Sequence, residues 1–261
     1  HDDCDEALEM QVSSELDEIV GTLRAETGGS WGEVLRNKRA LLAGLGLVLL
    51  QQVTGQPSVL YYQTSIFQDA GFGALASSAS VIVGAAKLLA TLVAVSQVDR
   101  FGRRPVLFVG ISMMLGALLL LTAAFQFATP KAADGVAKSD EVSLPGPWPA
   151  LVVIALVVYV CGYQVGFGPI SWLIISEVFP LRTRSYAISA AVCVNFGVNL
   201  LMTFSLTFVQ ASFDRVSPGR GASYLFGLYA ALCAVSLAFV ACFVPETKGK
   251  TLEQIEAELT H

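Results

Sequence analysis

Six long apolar segments constrain this chain more than any other feature of its sequence. They run over residues 40–66, 76–98, 105–127, 148–173, 184–209 and 222–244. A bilayer core about 30 Å thick is crossed by about 20 apolar residues in a helix, so each segment is long enough to span a membrane. The composition agrees, with 54% hydrophobic and 14% charged residues. The sequence therefore predicts an all-α, polytopic membrane protein with six transmembrane helices.

More polar sequence lies on both sides of this apolar region and divides the chain into three parts. We predict a cytoplasmic linker region over residues 1–39, a six-helix bundle over 40–244 and a cytoplasmic tail over 245–261. Within the linker, residues 7–24 place apolar side chains at helical spacing among acids, which predicts a short amphipathic helix too polar to cross a bilayer.

The two ends of the chain add local expectations. Residues 1–30 hold nine acids and one base, so the net charge of −5 is a property of this end. The chain begins with His1 rather than Met, which indicates that an upstream portion belongs to the protein. In the tail, Thr251 and Gln254 have the spacing of a capping box and predict a last short helix.

Lysine and arginine residues next to the spans are distributed unevenly between the two sides of the predicted bundle. Ten fall on one side: Arg36, Lys38, Arg39, Arg100, Arg103, Arg104, Arg182, Arg184, Lys248 and Lys250. Four fall on the other: Lys131, Lys138, Arg215 and Arg220. Because the more basic side faces the cytoplasm, both termini are predicted to be cytoplasmic, and residues 128–147 form an external loop.

The first predicted span contains an unusually large set of polar side chains: Gln51, Gln52, Thr54, Gln56, Ser58, Tyr61, Tyr62 and Gln63. Such side chains must face protein or water rather than lipid. A glutamine amide offers two donors and one acceptor oxygen, which suits the hydroxyl groups of a sugar. Gly55 and Pro57 interrupt the same segment, and interrupted helices in carriers line the substrate cavity. The alternative is that the glutamines only bond neighbouring helices to one another.

Polar residues in the fourth and fifth spans suggest the same kind of site. In the run from Gly166 to Trp172, which includes Gly168, a helix break stands beside a tryptophan that can stack on a sugar; Gln164 lies about two turns before Trp172. The alternative is a packing kink with an interfacial tryptophan. Asn195 and Asn199 lie on one face of the fifth span. Bonding between helices is an equally open interpretation for Asn199, whereas ligand binding is the favoured one for Asn195.

Lys87 lies near the middle of the second span. A central lysine costs about 2.5–3.5 kcal/mol on insertion scales, so its side chain should face a cavity or a carboxylate. No acid lies at a similar depth in this chain, so an acidic partner would belong to the upstream portion. Alternatively, Lys87 extends to the interface or bonds backbone carbonyls for structural reasons alone.

The sequence shows none of the residue patterns that mark an enzyme active site. The five cysteines form no C-x-x-C pair, and the two histidines, His1 and His261, are terminal. No nucleophile with a base, metal cluster or phosphate-binding loop appears. We therefore predict no catalytic residues, no metal, no cofactor and no nucleic-acid partner, and a polytopic membrane enzyme is a poor alternative.

Four sequence elements together carry a family resemblance. They are Gln51-Gln52-Val53-Thr54-Gly55 with Tyr61-Tyr62, Asp99-Arg100-Phe101-Gly102-Arg103-Arg104, Gly168-Pro169-Ile170-Ser171-Trp172 with Glu177, and Pro245-Glu246-Thr247-Lys248-Gly249. This pattern resembles the sugar porter family of the major facilitator superfamily, over the last half of its twelve-helix chain. Within the family it is most similar to the plant-type proton-coupled xylose carriers and the vacuolar or plastidic glucose carriers.

The resemblance implies roles for individual residues. The residues predicted to bind substrate are Gln51, Gln52, Gln56, Gln164, Gly168, Trp172 and Asn195. The residues predicted to act in gating are the extracellular Tyr61 and Tyr62 and the cytoplasmic charge network of Asp99, Arg100, Arg103, Arg104, Glu177 and Arg182. Lys87 is a possible coupling residue. The basic loop alone is also explained as an anchor that sets topology.

Three positions depart from the pattern of the family. Pro57 replaces an asparagine, Gln164 stands at a position that is often acidic, and Lys87 replaces another frequent asparagine. These changes leave the identity of the sugar open.

The function expected from the resemblance is transport of a monosaccharide, a hexose or a pentose, by alternating access with proton symport. Facilitated diffusion and a sugar sensor that binds without transport are the alternatives. The expected partners are the monosaccharide, protons, the lipid bilayer and an N-terminal six-helix half of the same protein. The membrane of residence, whether plasma, vacuolar or plastid, stays open.

Overall fold

The computed structural model describes residues 12–13, 15–17, 20–21, 29–69, 76–127, 129–133, 136–143, 147–217, 220–251 and 254–255. The elements within these residues are α1 (Trp31–Arg36), α2 (Lys38–Val53), α3 (Gln56–Asp69), α4 (Ala76–Phe101), α5 (Arg103–Gln126), β1 (Thr129–Ala133), β2 (Val136–Ser143), α6 (Trp148–Val165), α7 (Phe167–Val178), α8 (Leu181–Val216) and α9 (Gly221–Phe243). The predicted all-α membrane fold is confirmed, and the two short strands form a hairpin in one connection between helices.

Five apolar spans in the described part of the chain are long enough to cross a membrane. They correspond to α4 from Ser80, α5, the consecutive pair α6 and α7, α8, and α9. Each matches one of the segments predicted from the sequence, with ends that differ by up to seven residues. The remaining predicted segment, residues 40–66, is divided between α2 and α3, and neither half reaches the length of a span by itself.

The interruption of the first segment lies at Thr54 and Gly55. Gly55 adopts φ +97°, which side chains of L-residues rarely permit, and a Cβ atom there would lie 2.5 Å from the ring of Tyr229. Two residues later, Pro57 lacks the N–H that would otherwise bond to the carbonyl of Val53. The chain therefore ends one helix and starts another instead of crossing in a single rod.

A second interruption separates α6 from α7 at Gly166. The N–H of Gly166 still bonds to the carbonyl of Gly162 at 2.9 Å. Pro169, however, has no N–H for the carbonyl of Val165, which lies four residues earlier. Both interruptions fall at glycine and proline positions where the sequence predicts a break.

Helices α5 and α6 approach each other closely through glycines. A Cβ atom on Gly110 would lie 2.5 Å from the Cα of Gly166, and one on Gly162 would lie 2.7 Å from the carbonyl oxygen of Gly110. Small residues are enriched in contacts between membrane helices because lipid provides no hydrophobic drive for association and close packing must replace it. This contact positions α6, and with it Tyr163 and Gln164.

The connection between α5 and α6 contains a hairpin where the sequence predicted only a loop. Strands β1 and β2 pair antiparallel, with Thr129 opposite Ser143 and Ala133 opposite Val136. The register shifts between Pro130 and Ala132. Glycine and proline residues predicted the loop, but they also border hairpins, so composition alone does not separate the two.

The segments at the two ends of the bundle are attached to it. In α1, Val34 is buried and the ring of Trp31 packs edge-to-face on Tyr186 of α8, with centroids 5.2 Å apart. The predicted capping box is confirmed, because the backbone N–H of Thr251 donates to Gln254 Oε1 at 3.1 Å and that of Gln254 donates to Thr251 Oγ1 at 3.4 Å.

The amphipathic helix predicted over 7–24 lies partly outside the described residues. Those of its positions that the structure describes are helical, namely 12–13, 15–17 and 20–21. Its remaining positions stay a prediction.

We predict that Gly110→Val lowers the free energy of unfolding by about 1–3 kcal/mol, and with it the melting temperature. The new side chain must push α5 away from the backbone of α6. Gly116→Val is the matched control on the same helix, where a Cβ atom would meet nothing within 4 Å. The measurement is thermal unfolding of both purified variants in one detergent. Equal melting temperatures for the two variants would show that the glycine contact does not hold these helices together.

Candidate functional site

Side chains from six helices, most of them polar, meet in one open cleft with a volume of about 480 Å³, which we call the polar cleft. This volume lies within the range of about 300–1,000 Å³ that is usual for small-molecule sites. The residues that line the cleft are Gln51, Gln52, Gln56, Lys87, Thr91, Tyr163, Gln164, Gly168, Pro169, Trp172, Asn195 and Asn199. All seven residues predicted to bind substrate, together with Lys87, are therefore brought to one place.

The two helix interruptions explain why these residues meet. Gln51 and Gln52 stand in the last turn of α2, and Gln56 is the first residue of α3. Gln164 stands at the end of α6, and Gly168 lies at the start of α7. Both broken segments therefore present their interrupted turns, with the polar residues of those turns, to the same cleft.

Gln52 bridges α2 and α8. Its amide nitrogen donates to Asn195 Oδ1, and its amide oxygen accepts from Asn199 Nδ2 at 3.4 Å. Only 4% of Gln52 is exposed. Bonding between helices, which the sequence left as an alternative, is thus present, and the same three residues also line the cleft.

Gln51 has one satisfied and one unsatisfied polar atom. Its amide nitrogen donates to Tyr163 Oη at 2.6 Å, whereas its buried amide oxygen has no partner among the described residues. An unpaired buried acceptor costs about 1–3 kcal/mol, so a hydroxyl donor from a ligand would find a ready acceptor here. The sequence analysis assigned no role to Tyr163. Its position directly before Gln164, as a polar hydroxyl in an apolar span, could have indicated a place in the site.

Lys87, Thr91 and Gln164 form another part of the lining. Gln164 Nε2 donates to Thr91 Oγ1 at 2.6 Å, and the Thr91 hydroxyl donates to the carbonyl of Lys87 at 2.8 Å. In the sequence, Thr91 is marked only by its helical spacing from Lys87. The lining residues include no aspartate or glutamate, so the ammonium of Lys87 shares this cleft with neutral amides and hydroxyls.

The two predicted gating tyrosines lie on α3. The side chain of Tyr61 is 67% exposed and does not line the cleft. The side chain of Tyr62 lies outside what the structure describes.

A cluster of charged residues, which we call the basic-end cluster, joins α5, α7 and the tail through Arg103, Glu177 and Thr247. Arg103 Nη2 lies 2.8 Å from Glu177 Oε1, and Thr247 Oγ1 donates to Glu177 Oε2 at 2.6 Å. Asp99 adds a longer contact of 3.7 Å to Arg103, with its side chain 81% exposed. An exposed pair of this kind contributes little, so Glu177 is the principal partner of Arg103.

Glu246 completes this end of the bundle by capping α5. Its two carboxylate oxygens accept from the backbone N–H groups of Arg103 and Arg104, each at 3.0 Å. A carboxylate is favourable there because the first N–H groups of a helix lack partners and carry partial positive charge. Gly102 permits this approach because it has no Cβ atom, which would lie 3.0 Å from the carboxylate of Glu246. Its φ of +91° is also one that other residues rarely adopt.

Glu246 received no role from the sequence beyond its place in a motif. The residues it caps lie more than a hundred positions earlier in the chain, and no local spacing signals such a contact. The other predicted members of the charge network behave differently. Arg100 and Arg182 are exposed and form no ion pair within the described residues. Arg104 bonds the carbonyl of Ala241 instead of a carboxylate.

Comparisons with known proteins agree with this architecture. Residues 2–259 match the family model described as "Sugar (and other) transporter". D-xylose-proton symporter-like 3, chloroplastic, of Arabidopsis thaliana is 47% identical over 238 residues, which cover 90% of this chain and 38% of the relative. A facilitated trehalose transporter of Bombyx mori is 37% identical over 241 residues, which cover 90% of this chain and 43% of the relative.

A solved structure shows the same fold. The inward open conformation of the xylose transporter XylE from E. coli superposes with a TM-score of 0.66 at 26% identity, over 94% of this chain and 46% of that chain. The chain thus spans less than half the length of these relatives. With five apolar spans in its described part, it is an integral multi-pass membrane protein. The match over nearly all its residues places it in a family of transporters rather than enzymes. This chain belongs to the sugar transporter family of the major facilitator superfamily.

Proposed function

We propose that this chain is the C-terminal half of a twelve-helix carrier that moves a monosaccharide across a membrane by alternating access, coupled to protons. The observation that carries the proposal is the convergence of Gln51, Gln52, Gln164, Trp172 and Asn195 on one cleft. In such carriers, two bundles rock around a substrate held near the middle of the membrane.

The chemistry of the cleft supports a neutral, polyhydroxylated substrate. Amides and hydroxyls offer both donors and acceptors, and sugar hydroxyls need both. The unpaired amide oxygen of Gln51 supplies an acceptor, and Trp172 supplies an aromatic face. A substrate with a full negative charge would find only Lys87 as a cationic partner among the lining residues.

The exposed faces of α4 and α8 support a second bundle in the rest of the protein. In the most apolar stretch of each span, only 6% is buried in α8 and 22% in α4, compared with 50% in the α6–α7 span. The cleft is lined from both of these helices, by Lys87 and Thr91 on α4 and by the two asparagines on α8. A facing bundle would cover these helices and close the open side of the cleft.

We predict that Gln52→Ala weakens sugar binding by about 1–3 kcal/mol, because the variant loses a hydrogen-bonding amide and also the bridge to Asn195 and Asn199. The measurement is calorimetric titration of the purified full-length protein with glucose and with xylose. Gln63→Ala is the control, since Gln63 lies on α3 outside the cleft and donates to the carbonyl of Ser80. Unchanged affinity in Gln52→Ala would refute the site.

We also propose that the basic-end cluster holds that end of the carrier closed in one state. Glu177 joins α7, which contributes Trp172 to the cleft, to Arg103 of α5 and to Thr247 of the tail. A movement of α7 relative to α5 and the tail that accompanies opening of this end would part at least one of these contacts. Such a cluster biases the population of the two states without touching the substrate.

We therefore predict that Glu177→Gln changes the rate of sugar transport in liposomes by several-fold while sugar affinity stays within about two-fold, since 1 kcal/mol of bias shifts a two-state population about five-fold. Asp99→Asn is the matched control, because its carboxylate is mostly exposed and only 3.7 Å from Arg103. A wild-type rate in Glu177→Gln, at equal protein incorporation, would contradict the gating role.

Proton coupling is the part of the proposal that rests on Lys87. No carboxylate lines the described part of the cleft, so an acid from the rest of the protein would have to approach the ammonium. A nearby cation favours the ionised form of an acid and so promotes release of its proton. The second candidate function is uncoupled diffusion, which the resemblance to a facilitated trehalose transporter favours.

We predict that Lys87→Met abolishes or sharply reduces sugar-driven proton uptake in liposomes while sugar binding persists, because the charge that couples the two movements is gone. Lys87→Arg keeps the charge and should keep most of the coupling. The measurement is the ratio of sugar to proton flux with a pH-sensitive dye. If Lys87→Met retains the wild-type ratio, Lys87 has a structural role, and if the wild-type protein moves no protons, facilitated diffusion is the correct assignment.

A further inference from the structure

A second cleft lies at the end of the bundle that carries most of the arginines, and it shares no lining residue with the polar cleft. It has a volume of about 460 Å³. The residues that line it are Arg39, Leu42, Arg104, Ala241, Cys242, Phe243, Val244 and Pro245. They come from the first two turns of α2, the first turn of α5, the last turn of α9 and the start of the tail. We call it the arginine cleft.

No acid among the described residues forms an ion pair with the two arginines of this cleft, Arg39 and Arg104. Within the same part of the chain, no aspartate or glutamate lines the cleft. Glu246, which follows the last lining residue in the chain, has both oxygens bonded to backbone N–H groups at the start of α5. In the part of the chain that the structure describes, the cleft therefore offers two cationic side chains without an anionic partner.

Arg104 is held in place rather than free in solvent. One terminal nitrogen donates to the carbonyl of Ala241 in the last turn of α9, and the guanidinium lies 5.9 Å from the ring centroid of Phe108. Its Nε atom is buried without a hydrogen-bond partner among the described residues. A planar guanidinium fixed in this way is suited to bind a phosphate group.

The rest of the lining is apolar and open. Leu42 is 45% exposed and Phe243 is 50% exposed, although both lie at the ends of membrane helices. Basic pockets between helices at a membrane surface bind the head groups of anionic lipids. A phospholipid combines the two features that the cleft displays, since its phosphate would meet the arginines and its acyl chains would lie on the apolar side chains.

The position of the cleft also favours a lipid over the facing bundle as its occupant. None of its lining residues belongs to α4 or α8, the two spans with the least buried surface and the ones that contribute to the open side of the polar cleft. We propose that the arginine cleft binds the head group of an anionic phospholipid, with Arg39 and Arg104 as the phosphate ligands.

The test measures binding of a fluorescent phosphatidylglycerol to the purified full-length protein in detergent, by anisotropy. We expect Arg39→Gln and Arg104→Gln each to weaken binding about five-fold, the effect of removing one cation from an anionic lipid surface. Lys38→Gln is the matched control, because Lys38 neighbours Arg39, carries the same charge and does not line the cleft. Arg39→Lys should keep most of the affinity.

Two further measurements distinguish an anionic lipid from a zwitterionic lipid and from free phosphate as the ligand. Fluorescent phosphatidylcholine should bind more weakly than phosphatidylglycerol and should not distinguish Arg39→Gln from Lys38→Gln. Inorganic phosphate at millimolar concentration should not displace the labelled lipid.

Equal losses in Arg39→Gln and Lys38→Gln would overturn the proposal, because binding would then reflect net charge alone. Displacement by inorganic phosphate would also overturn it, in favour of a site for the free anion. Because Arg39 is exposed and has no side-chain hydrogen bond in the described structure, we expect its substitution to test the cleft with little change in stability.

Discussion

The structure depends on the need to satisfy backbone hydrogen bonds where water is scarce. In the hydrocarbon core, an unpaired N–H or carbonyl costs several kcal/mol, so a chain that crosses it must be helical almost everywhere. The interruption at Thr54 and Gly55 gives up regular bonding, yet part of the loss is recovered: the hydroxyl of Tyr159 donates to the free carbonyl of Thr54 at 3.2 Å. The polar cleft exists because the fold supports such a break at the point where polar side chains are needed.

This constraint explains why so much of the fold could be predicted from the sequence. A membrane span must be long and apolar, so spans are recognised by composition alone. Polar residues inside a span are costly, and Gln51, Gln52 and Asn195 are therefore conspicuous in the sequence itself. Their meeting in one cleft follows from the same cost, because each of them has to face other polar groups.

Other features could not be derived because they depend on contacts between distant parts of the chain. The cap that Glu246 provides for α5 joins the tail to a helix start far upstream, and no helical spacing relates the two. Tyr163 gained its place only through the approach of α6 to α2, which the glycines of α5 and α6 help to set. The hairpin of β1 and β2 was hidden because prolines and glycines border hairpins and loops alike.

The length of α8 has a mechanical consequence. Its 36 residues form a rod about 54 Å long, well beyond the roughly 30 Å of a bilayer core. Asn195 and Asn199 sit within this rod, and Tyr186 near one end packs on Trp31 of the linker. A stiff rod amplifies rotation: a tilt of about 10° displaces one end by about 9 Å relative to the other. Tyr186 lies nine residues from Asn195, about 14 Å along the rod, so the same tilt pivoting at the asparagines would move the contact between α8 and the linker by about 2 Å.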